Sequence, residues 1–205
     1  VQTATEAIHR LHSTAESHRR TMVVELMGRH AGWIALFAGV AGTADVILIP
    51  EIPYDFDRVC EKVQDRYDEQ GRGFCIVVAA EGAHEAGGKP VYDEVGPDGE
   101  PHYGGIAEKL AEEIQERTGR ETRSLVLGHL QRGGQPLAYD RLLGLRFGAA
   151  AVELVGQGSF GTMVALDPPD ILAVPLAEAV AEIKMVPSDA DVVTTARSLG
   201  VCLGD

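Results

Sequence analysis

Apolar and polar positions along the chain follow two periods, one typical of helices and one typical of buried strands. Apolar residues recur with helical spacing from Thr3 to about His18, from Asp55 to about Glu69 and from Gly104 to Arg117. Between these segments lie apolar runs rich in branched residues, such as TMVVELM at 21–27, which includes Glu25, and the continuous apolar run FCIVVAA at 74–80. Runs of this kind are typical of strands covered on both faces of a parallel sheet.

Further segments continue the alternation of strands and helices. We predict a buried helix at 31–42, a strand at 46–50, a buried strand at 123–128, a helix at 137–155, a strand at 161–166 and a final helix near 189–199. The stretch 82–103 is rich in glycine and proline and has no period, so we predict a long loop there. Strands that alternate with helices imply right-handed crossovers. The expected fold class is therefore α/β, with a mainly parallel sheet and helices on both faces.

Composition and charge narrow the classes of protein that fit this pattern. The 205 residues are 45% hydrophobic, which is enough to bury the core of one large domain or two small ones. The net charge of −13 argues against nucleic acid or a membrane surface as a partner, because both attract clustered Lys and Arg. No apolar stretch approaches the roughly 18 residues of a membrane span. The cysteines are odd in number and form no C-x-x-C pair, so we expect a reducing, cytoplasmic location.

Three of the predicted strands end in glycine beside charged side chains. These ends read MGRH at 27–30, EGAH at 81–84 and GHLQRGG at 128–134. Ligands of such sheets bind at the carboxyl ends of the strands. Guanidinium groups suit phosphate oxygens, and a carboxylate accepts hydrogen bonds from sugar hydroxyls. For any one of these ends, turn geometry with a solvated side chain is the better explanation. The three similar ends together make a sugar-phosphate pocket an equally good explanation, and ordinary turn chemistry stays open as the alternative.

Two other patterns are weak indications of a site. His9 and His12 have the i, i+3 spacing of metal ligands, but no nearby carboxylate or cysteine completes a set, so we expect no metal site in this chain. The run Gly87-Gly88-Lys89 is followed by proline, and its spacing does not match a P-loop. We therefore do not predict a nucleotide P-loop.

Three longer stretches resemble the 6-phosphofructokinases. They are VVELMGRHAGWIALFAG at 23–39, VVAAEGAH at 77–84 and TGRETRSLVLGHLQRGGQPLAYDR at 118–141. The pattern MGRHAGWIAL is similar to the branch that includes pyrophosphate-dependent and mixed-substrate enzymes alongside ATP-dependent ones. The resemblance extends from about Ile8 to the C-terminus. It implies a Rossmann-like phosphofructokinase fold, of which this chain is the substrate-binding half.

The resemblance implies roles for residues at the first two strand ends. Met27, Gly28 and Arg29 would contact fructose 6-phosphate. Arg29 would also act in catalysis, by offsetting the charge of the transferred phosphoryl group. Glu81 would accept hydrogen bonds from sugar hydroxyls.

The remaining implied roles belong to His129, Arg132, Arg20 and Arg123. His129 and Arg132 would hold the 6-phosphate. Arg20 and Arg123 match arginines that, in the family, reach across a subunit interface to the neighbour's sugar phosphate. The resemblance therefore implies a homo-oligomer, a dimer or a tetramer, with sites shared between chains.

The family's catalytic base lies in a Thr-Ile-Asp-Asn-Asp segment, and a Gly-Gly-Asp-Gly loop binds Mg²⁺ and the donor, ATP or pyrophosphate. Neither string occurs here, and the chain begins with Val1 rather than methionine. We therefore expect residues 1–205 to be the C-terminal, fructose 6-phosphate-binding part of a glycolytic phosphofructokinase, without the N-terminal donor- and Mg²⁺-binding part. Such a fragment would be inactive alone in forming fructose 1,6-bisphosphate.

Two other functions stay open: a non-catalytic sugar-phosphate-binding protein, and a regulatory or oligomerisation module. Allosteric regulation is a further expectation. Allosteric bacterial relatives have an arginine where this chain has His12 and a glutamate where it has Asp45, while Arg72 lies near a matching basic position. We therefore expect a changed effector site and a weak response to nucleotide diphosphate or phosphoenolpyruvate.

Overall fold

The computed structural model describes residues 1–69, 71–95 and 101–205. The helices are α1 Gln2–His18, α2 Trp33–Ala41, α3 Phe56–Asp68, α4 Ile106–Thr118, α5 Ala138–Gly156, α6 Leu176–Ala179 and α7 Asp191–Ser198. The strands are β1 Thr21–Leu26, β2 Val46–Leu48, β3 Cys75–Ala80, β4 Tyr92–Val95, β5 Pro101–Tyr103, β6 Thr122–Val126, β7 Thr162–Asp167 and β8 Asp170–Pro175. A short 3₁₀ helix, Gly128–Arg132, follows β6. None of the helices in the described residues is both long and apolar enough to cross a membrane.

One compact unit consists of Val1–Gly133 together with Met185–Asp205. Its parallel sheet has the strand order β2-β3-β1-β6. Strands β1 and β3 are buried along their whole length, and Leu26 lies opposite Ala80 at their ends. The segments that follow these two strands therefore leave the sheet at the same edge.

Helices cover both faces of this sheet. Helices α1 and α2 pack on the face that includes Val24 and Ile76, and α7 packs on α2. Helices α3 and α4 pack on the opposite face, which includes Val23 and Val77. Alternate strand residues thus enter two separate cores, as the pleat requires. The predicted α/β class, with a mainly parallel sheet and helices on both faces, is confirmed.

Helix α4 follows β5 and packs beside β1 and β6. Its residues Ile106, Leu110 and Ile114 are spaced four apart and are fully buried, which gives the helix one apolar stripe. The helix lies between two glycines in the left-handed region, Gly105 with φ of 83° and Gly119 with φ of 69°. These glycines let the chain turn sharply at both ends.

The prediction of a loop over 82–103 is wrong in part. The segment contains β4, and β5 closes it as the antiparallel partner of β4, with Tyr92 opposite Tyr103. Residues 96–100 of the predicted loop lie outside the described residues. The strands are too short to show an alternating pattern, and the tyrosine pair that joins them is separated in the sequence.

The expected burial is also wrong at two elements. Strand β6 was predicted to be buried, but it is the edge of the described sheet, and Val126 is 47% exposed. Helix α2 was predicted to be buried on all sides, but Phe37 is 41% exposed. An apolar run indicates that a face can be covered, whereas the neighbours that cover it are set by tertiary packing.

The other compact unit comprises Gly134–Lys184. Helix α5 precedes the antiparallel hairpin of β7 and β8, and α6 follows it. The guanidinium of Arg146 donates to the carbonyl of Pro169 at 2.6 Å and links α5 to the turn of that hairpin. The helix predicted at 137–155 and the strand predicted at 161–166 are confirmed, whereas β8 was not predicted.

Candidate functional site

A cavity of about 630 Å³ lies in the first unit, at the carboxyl ends of β1, β3 and β6. Three separate segments, each following one of these strands, supply much of its lining. Six of the eight residues predicted as site residues line this cavity: Met27, Gly28, Arg29, Glu81, His129 and Arg132. The parallel register thus brings cationic side chains and the carboxylate of Glu81 together around one space.

The turn after β1 is held by the carboxylate of Glu81. The backbone N–H groups of Gly28 and Arg29 both donate to Glu81 Oε1, at 3.1 and 2.7 Å. Successive N–H groups of such a turn form a concave nest for an anion, and Glu81 fills it. Within the described residues Glu81 Oε2 accepts no hydrogen bond. One oxygen of Glu81 therefore holds the turn, and the other is free to accept from a ligand.

Arg29 has an unusual backbone conformation. Its φ of 50° lies in the left-handed region, which costs a residue with a Cβ about 1 kcal/mol. The neighbouring segment makes this turn possible, because a Cβ at Gly82 would lie 2.1 Å from the carbonyl oxygen of Arg29. The glycine after Glu81 is thus required by a close approach of two backbones.

Gln131 connects the first turn to the 3₁₀ helix after β6. The N–H of Met27 donates to Gln131 Oε1 at 2.9 Å, and Gln131 also lines the cavity. Sequence reasoning did not select this residue, although it stands between His129 and Arg132 in the same motif. Its contact crosses between two strand ends, which spacing alone does not reveal.

Tyr103 is a second lining residue that sequence reasoning missed. Its hydroxyl lies 2.9 Å from Nδ1 of His30. Burial raises the pKa of the Tyr103 phenol and Tyr92 raises it further, whereas Arg29 lowers it. The hydroxyl therefore stays protonated at neutral pH and is available as a donor.

Two further glutamates, Glu25 and Glu51, accept hydrogen bonds from backbone N–H groups near the N-termini of α4 and α2, and Glu25 also lines the cavity. Glu25, only 3% exposed, accepts a hydrogen bond at Oε2 from the N–H of Ala107 in the first turn of α4, at 3.1 Å. Glu51 accepts from the N–H of Gly32, just before α2, and from the N–H of Val186. A carboxylate at a helix N-terminus is stabilising, because it satisfies N–H groups that have no partner within the helix.

The two other predicted site residues lie elsewhere. Arg20 precedes β1 and Arg123 is near the start of β6, so both lie toward the amino ends of the strands. Along the sheet they are about 16 Å and about 10 Å, respectively, from the lining residues Glu25 and Val126 of the same strands. Both bind Glu121: Arg20 Nε lies 2.8 Å from Oε2, and Arg123 Nη2 lies 2.6 Å from Oε1. The hydrogen bond from Arg20 is the main cause that lowers the pKa of Glu121. The structure brings these two arginines together, but away from the cavity.

The residues of the expected effector site have partners within the chain. Asp45 is buried, with Oδ1 2.8 Å from Nε of Arg66, and its Oδ2 accepts from the N–H of Ile76. His12 Nε2 lies 2.8 Å from the carbonyl oxygen of Gly42. A weak effector response stays a prediction.

The Mg²⁺ implied by the resemblance does not fit the residues described here. Within residues 1–69, 71–95 and 101–205, no group of three or more His, Cys, Asp and Glu side chains is placed to hold a metal ion. Mg²⁺ is bound in proteins mainly by carboxylates and phosphates. At the turn, the Glu81 carboxylate already holds two N–H groups. We therefore assign no step through a metal to these residues.

Comparisons with known proteins indicate the family to which the chain belongs. The phosphofructokinase family model matches residues 1–155. An ATP-dependent 6-phosphofructokinase from Chloroflexus aurantiacus is 54% identical over 205 residues, which are 100% of this chain and 56% of that protein. A pyrophosphate–fructose 6-phosphate 1-phosphotransferase from Amycolatopsis methanolica is 56% identical over 191 residues, which are 92% of this chain and 55% of that protein.

The solved structure of phosphofructokinase from Saccharomyces cerevisiae has a similar fold. It superposes with a TM-score of 0.74 at 35% identity and covers 87% of this chain and 22% of that one. The chain spans little more than half the length of the two sequence relatives. The family model, the two relatives and the fold together show that this chain belongs to the phosphofructokinase family.

Proposed function

We propose that the cavity binds fructose 6-phosphate. We further propose that the whole protein containing this chain phosphorylates that sugar to fructose 1,6-bisphosphate, with ATP or pyrophosphate as donor. The observation that carries the proposal is the convergence of Arg29, His129, Arg132 and Glu81 on one cavity. The molecule has a net charge of −13, yet cationic side chains cluster around this one cavity. Binding of a phosphorylated ligand would explain such a cluster.

Each end of the sugar has a group of suitable chemistry. His129 and Arg132 come from one short 3₁₀ helix and would bind the 6-phosphate, since guanidinium forks suit phosphate oxygens. Glu81 Oε2 would accept from a sugar hydroxyl while Oε1 keeps the turn in place. Gly28 has no side chain and leaves the ligand room to approach the backbone.

In the proposed reaction, the 1-hydroxyl oxygen of the sugar attacks the terminal phosphorus of the donor. The bond from that phosphorus to the leaving oxygen breaks, and the hydroxyl proton passes to a base. Arg29 would stabilise the charge that develops on the transferred group, which is the main requirement of phosphoryl transfer. The base and the donor-binding residues are assigned outside this chain. Mg²⁺ would be held there too, and it would neutralise charge on the donor phosphates.

We propose that the sites are shared between the subunits of a dimer or a tetramer. Arg20 and Arg123 lie at the amino ends of their strands, so they are too distant to serve the cavity of their own chain. Both are charged, and both are held on Glu121 at the surface. A neighbouring chain's sugar phosphate is the proposed partner of these two arginines.

Calorimetry tests the binding proposal, with the protein expressed from the full open reading frame that encodes this chain. Fructose 6-phosphate should bind, whereas fructose without the phosphate should not. Arg132→Ala should weaken binding roughly 10- to 100-fold, because it removes a charged hydrogen bond. The control is Arg58→Ala, which removes an exposed ion pair on α3 and should leave the affinity unchanged.

A coupled assay of the same protein with ATP and with pyrophosphate tests catalysis and identifies the donor. Absence of heat with fructose 6-phosphate, or an unchanged affinity in Arg132→Ala, would overturn the binding proposal. Binding without turnover from either donor would instead favour a non-catalytic sugar-phosphate-binding protein.

A further inference from the structure

The aromatic contacts of Tyr103 hold its side chain against the turn that follows β1. Its ring meets the ring of His30 edge to face, with centroids 5.5 Å apart and planes at 87°. On another side it lies 5.3 Å from the ring of Tyr92, its cross-strand partner. The 2.9 Å contact between the Tyr103 hydroxyl and His30 Nδ1 completes the arrangement. The position of the hydroxyl is thus fixed by two rings and one hydrogen bond.

The backbone of Tyr103 is fixed as well. Tyr103 ends β5 and is followed, after Gly104 and Gly105, by α4. The first turn of that helix is attached to Glu25, near the carboxyl end of β1, through the N–H of Ala107. Strand β1 also leads directly into the turn that carries Arg29 and His30. Both partners of the hydrogen bond are therefore anchored to the same buried strand.

The turn is supported from two sides. On one side, Glu81 accepts from the N–H groups of Gly28 and Arg29. On the other side, Tyr103 holds the side chain of His30, the residue directly after Arg29. A left-handed residue other than glycine persists only where surrounding contacts maintain it. Without the second support, the turn would keep its hydrogen bonds to Glu81 and Gln131 but lose the one that holds the residue directly after Arg29.

We propose that Tyr103 is a positioning residue for phosphoryl transfer. Through His30 it keeps the Arg29 turn in the conformation that directs the guanidinium at the transferred group. This inference rests on the proposed function of the cavity. Tyr103 acts through His30, so no contact with the sugar is required of it.

The proposal predicts that loss of the Tyr103 hydroxyl affects turnover but not binding of the sugar. The 6-phosphate is assigned to His129 and Arg132, which belong to a different segment from Tyr103 and His30. Ground-state binding of the sugar should therefore survive loss of the Tyr103 hydroxyl. An interaction that acts mainly in the transition state lowers kcat and leaves KM nearly unchanged, because catalysis depends on placing charge to within a fraction of an ångström.

The test is Tyr103→Phe in the protein expressed from its full open reading frame. This change removes one oxygen atom and keeps both ring contacts. We expect kcat to fall about 3- to 10-fold, with the KM for fructose 6-phosphate changed by less than about 2-fold. The matched control is Tyr139→Phe, which removes the hydroxyl of a tyrosine that lies on α5 and is 63% exposed. That variant should keep the wild-type kcat.

A double-mutant cycle with His30→Ala tests the mechanism. If Tyr103 acts through His30, the double variant should lose no more kcat than His30→Ala alone. Additive losses, or an unchanged kcat in Tyr103→Phe, would overturn the inference while leaving sugar binding intact. A wild-type protein that fails to bind fructose 6-phosphate would overturn the proposed function instead. Thermal unfolding of each variant identifies losses of kcat that are caused by instability. His30→Gln keeps a hydrogen-bonding side chain, so it should retain more of the wild-type kcat than His30→Ala.

Discussion

At the scale of single residues, the site depends on Glu81, because one of its oxygen atoms accepts hydrogen bonds from two backbone N–H groups. Glu81 was predicted at the cavity because a carboxylate at the end of an apolar strand faces the ligand edge of a parallel sheet. The sequence contains no sign that its Oε1 holds the N–H groups of Gly28 and Arg29. That contact depends on the left-handed backbone of Arg29, which arginine seldom adopts and which no pattern indicates. The charged residues at the strand ends can thus be predicted from the sequence. Which oxygen of Glu81 holds the turn, and which is left for a ligand, cannot be predicted from it.

Substitutions of Glu81 separate its two proposed roles. Glu81→Gln keeps an oxygen for the two backbone N–H groups but replaces the other oxygen by a donor. Glu81→Ala removes both, so it should lower the free energy of unfolding by about 1–3 kcal/mol more than the glutamine variant does. Both should weaken binding of fructose 6-phosphate in calorimetry. Equal free energies of unfolding in urea for the two variants would contradict the role of Glu81 in the turn.

At the scale of elements, the strands and helices with long apolar patterns were predicted well. Strands β1 and β3 are buried on both faces, as their continuous apolar runs indicate. Strand β6 has a similar run but lies at the edge, because the sequence of a strand does not specify its neighbours. The hairpin of β4 and β5 was not predicted, since its strands are short and the paired residues Tyr92 and Tyr103 are far apart in the sequence.

Asp45 joins α3 to the sheet, and its removal should be costly. The carboxylate binds Arg66 of α3 and the N–H of Ile76 in β3, and both charged side chains are buried. Asp45→Ala should lower the free energy of unfolding by about 3 kcal/mol, because it removes a buried carboxylate that binds both Arg66 and the N–H of Ile76. Urea unfolding measures this change. The exposed pair of Arg58 and Glu61 provides the control, since Glu61→Ala should change the same quantity by less than about 0.5 kcal/mol.

A change in Asp45→Ala as small as that in Glu61→Ala would show that the buried pair adds no stability. The pair also bears on regulation. A carboxylate already occupied by Arg66 and by Ile76 is a poor partner for an effector, which agrees with the weak response that we predict.

At the scale of the whole molecule, three sequence motifs predicted the family. The division of the chain into two compact units could not be predicted from the sequence. No shift in composition marks the boundary at Gly134, which falls inside the motif that supplies His129 and Arg132. Such boundaries are set by contacts between distant residues. The positions of Arg20 and Arg123 likewise became informative only when the sheet showed them at the end opposite to the cavity.

Shared sites predict that two inactive variants restore each other. Arg123→Ala leaves its own cavity intact but supplies no cation to the neighbour, and His129→Ala does the reverse. In the simplest case of a dimer, a mixed dimer has one complete site, so equal co-expression of the two full-length chains should give about a quarter of the wild-type rate. The rate with fructose 6-phosphate measures this. A mixture no faster than the two variants measured apart would contradict shared sites.

The residue types that best suit the backbone conformation at position 29 differ from the one that the proposed reaction requires there. Its left-handed backbone suits glycine best and asparagine next, so a library selected for a higher melting temperature would tend to replace the arginine. A library selected for growth on the proposed reaction would tend to retain it, because neither replacement carries a positive charge. Thermostabilisation of this protein by sequence optimisation should therefore leave residue 29 untouched, and directed evolution should seek its gains elsewhere in the chain.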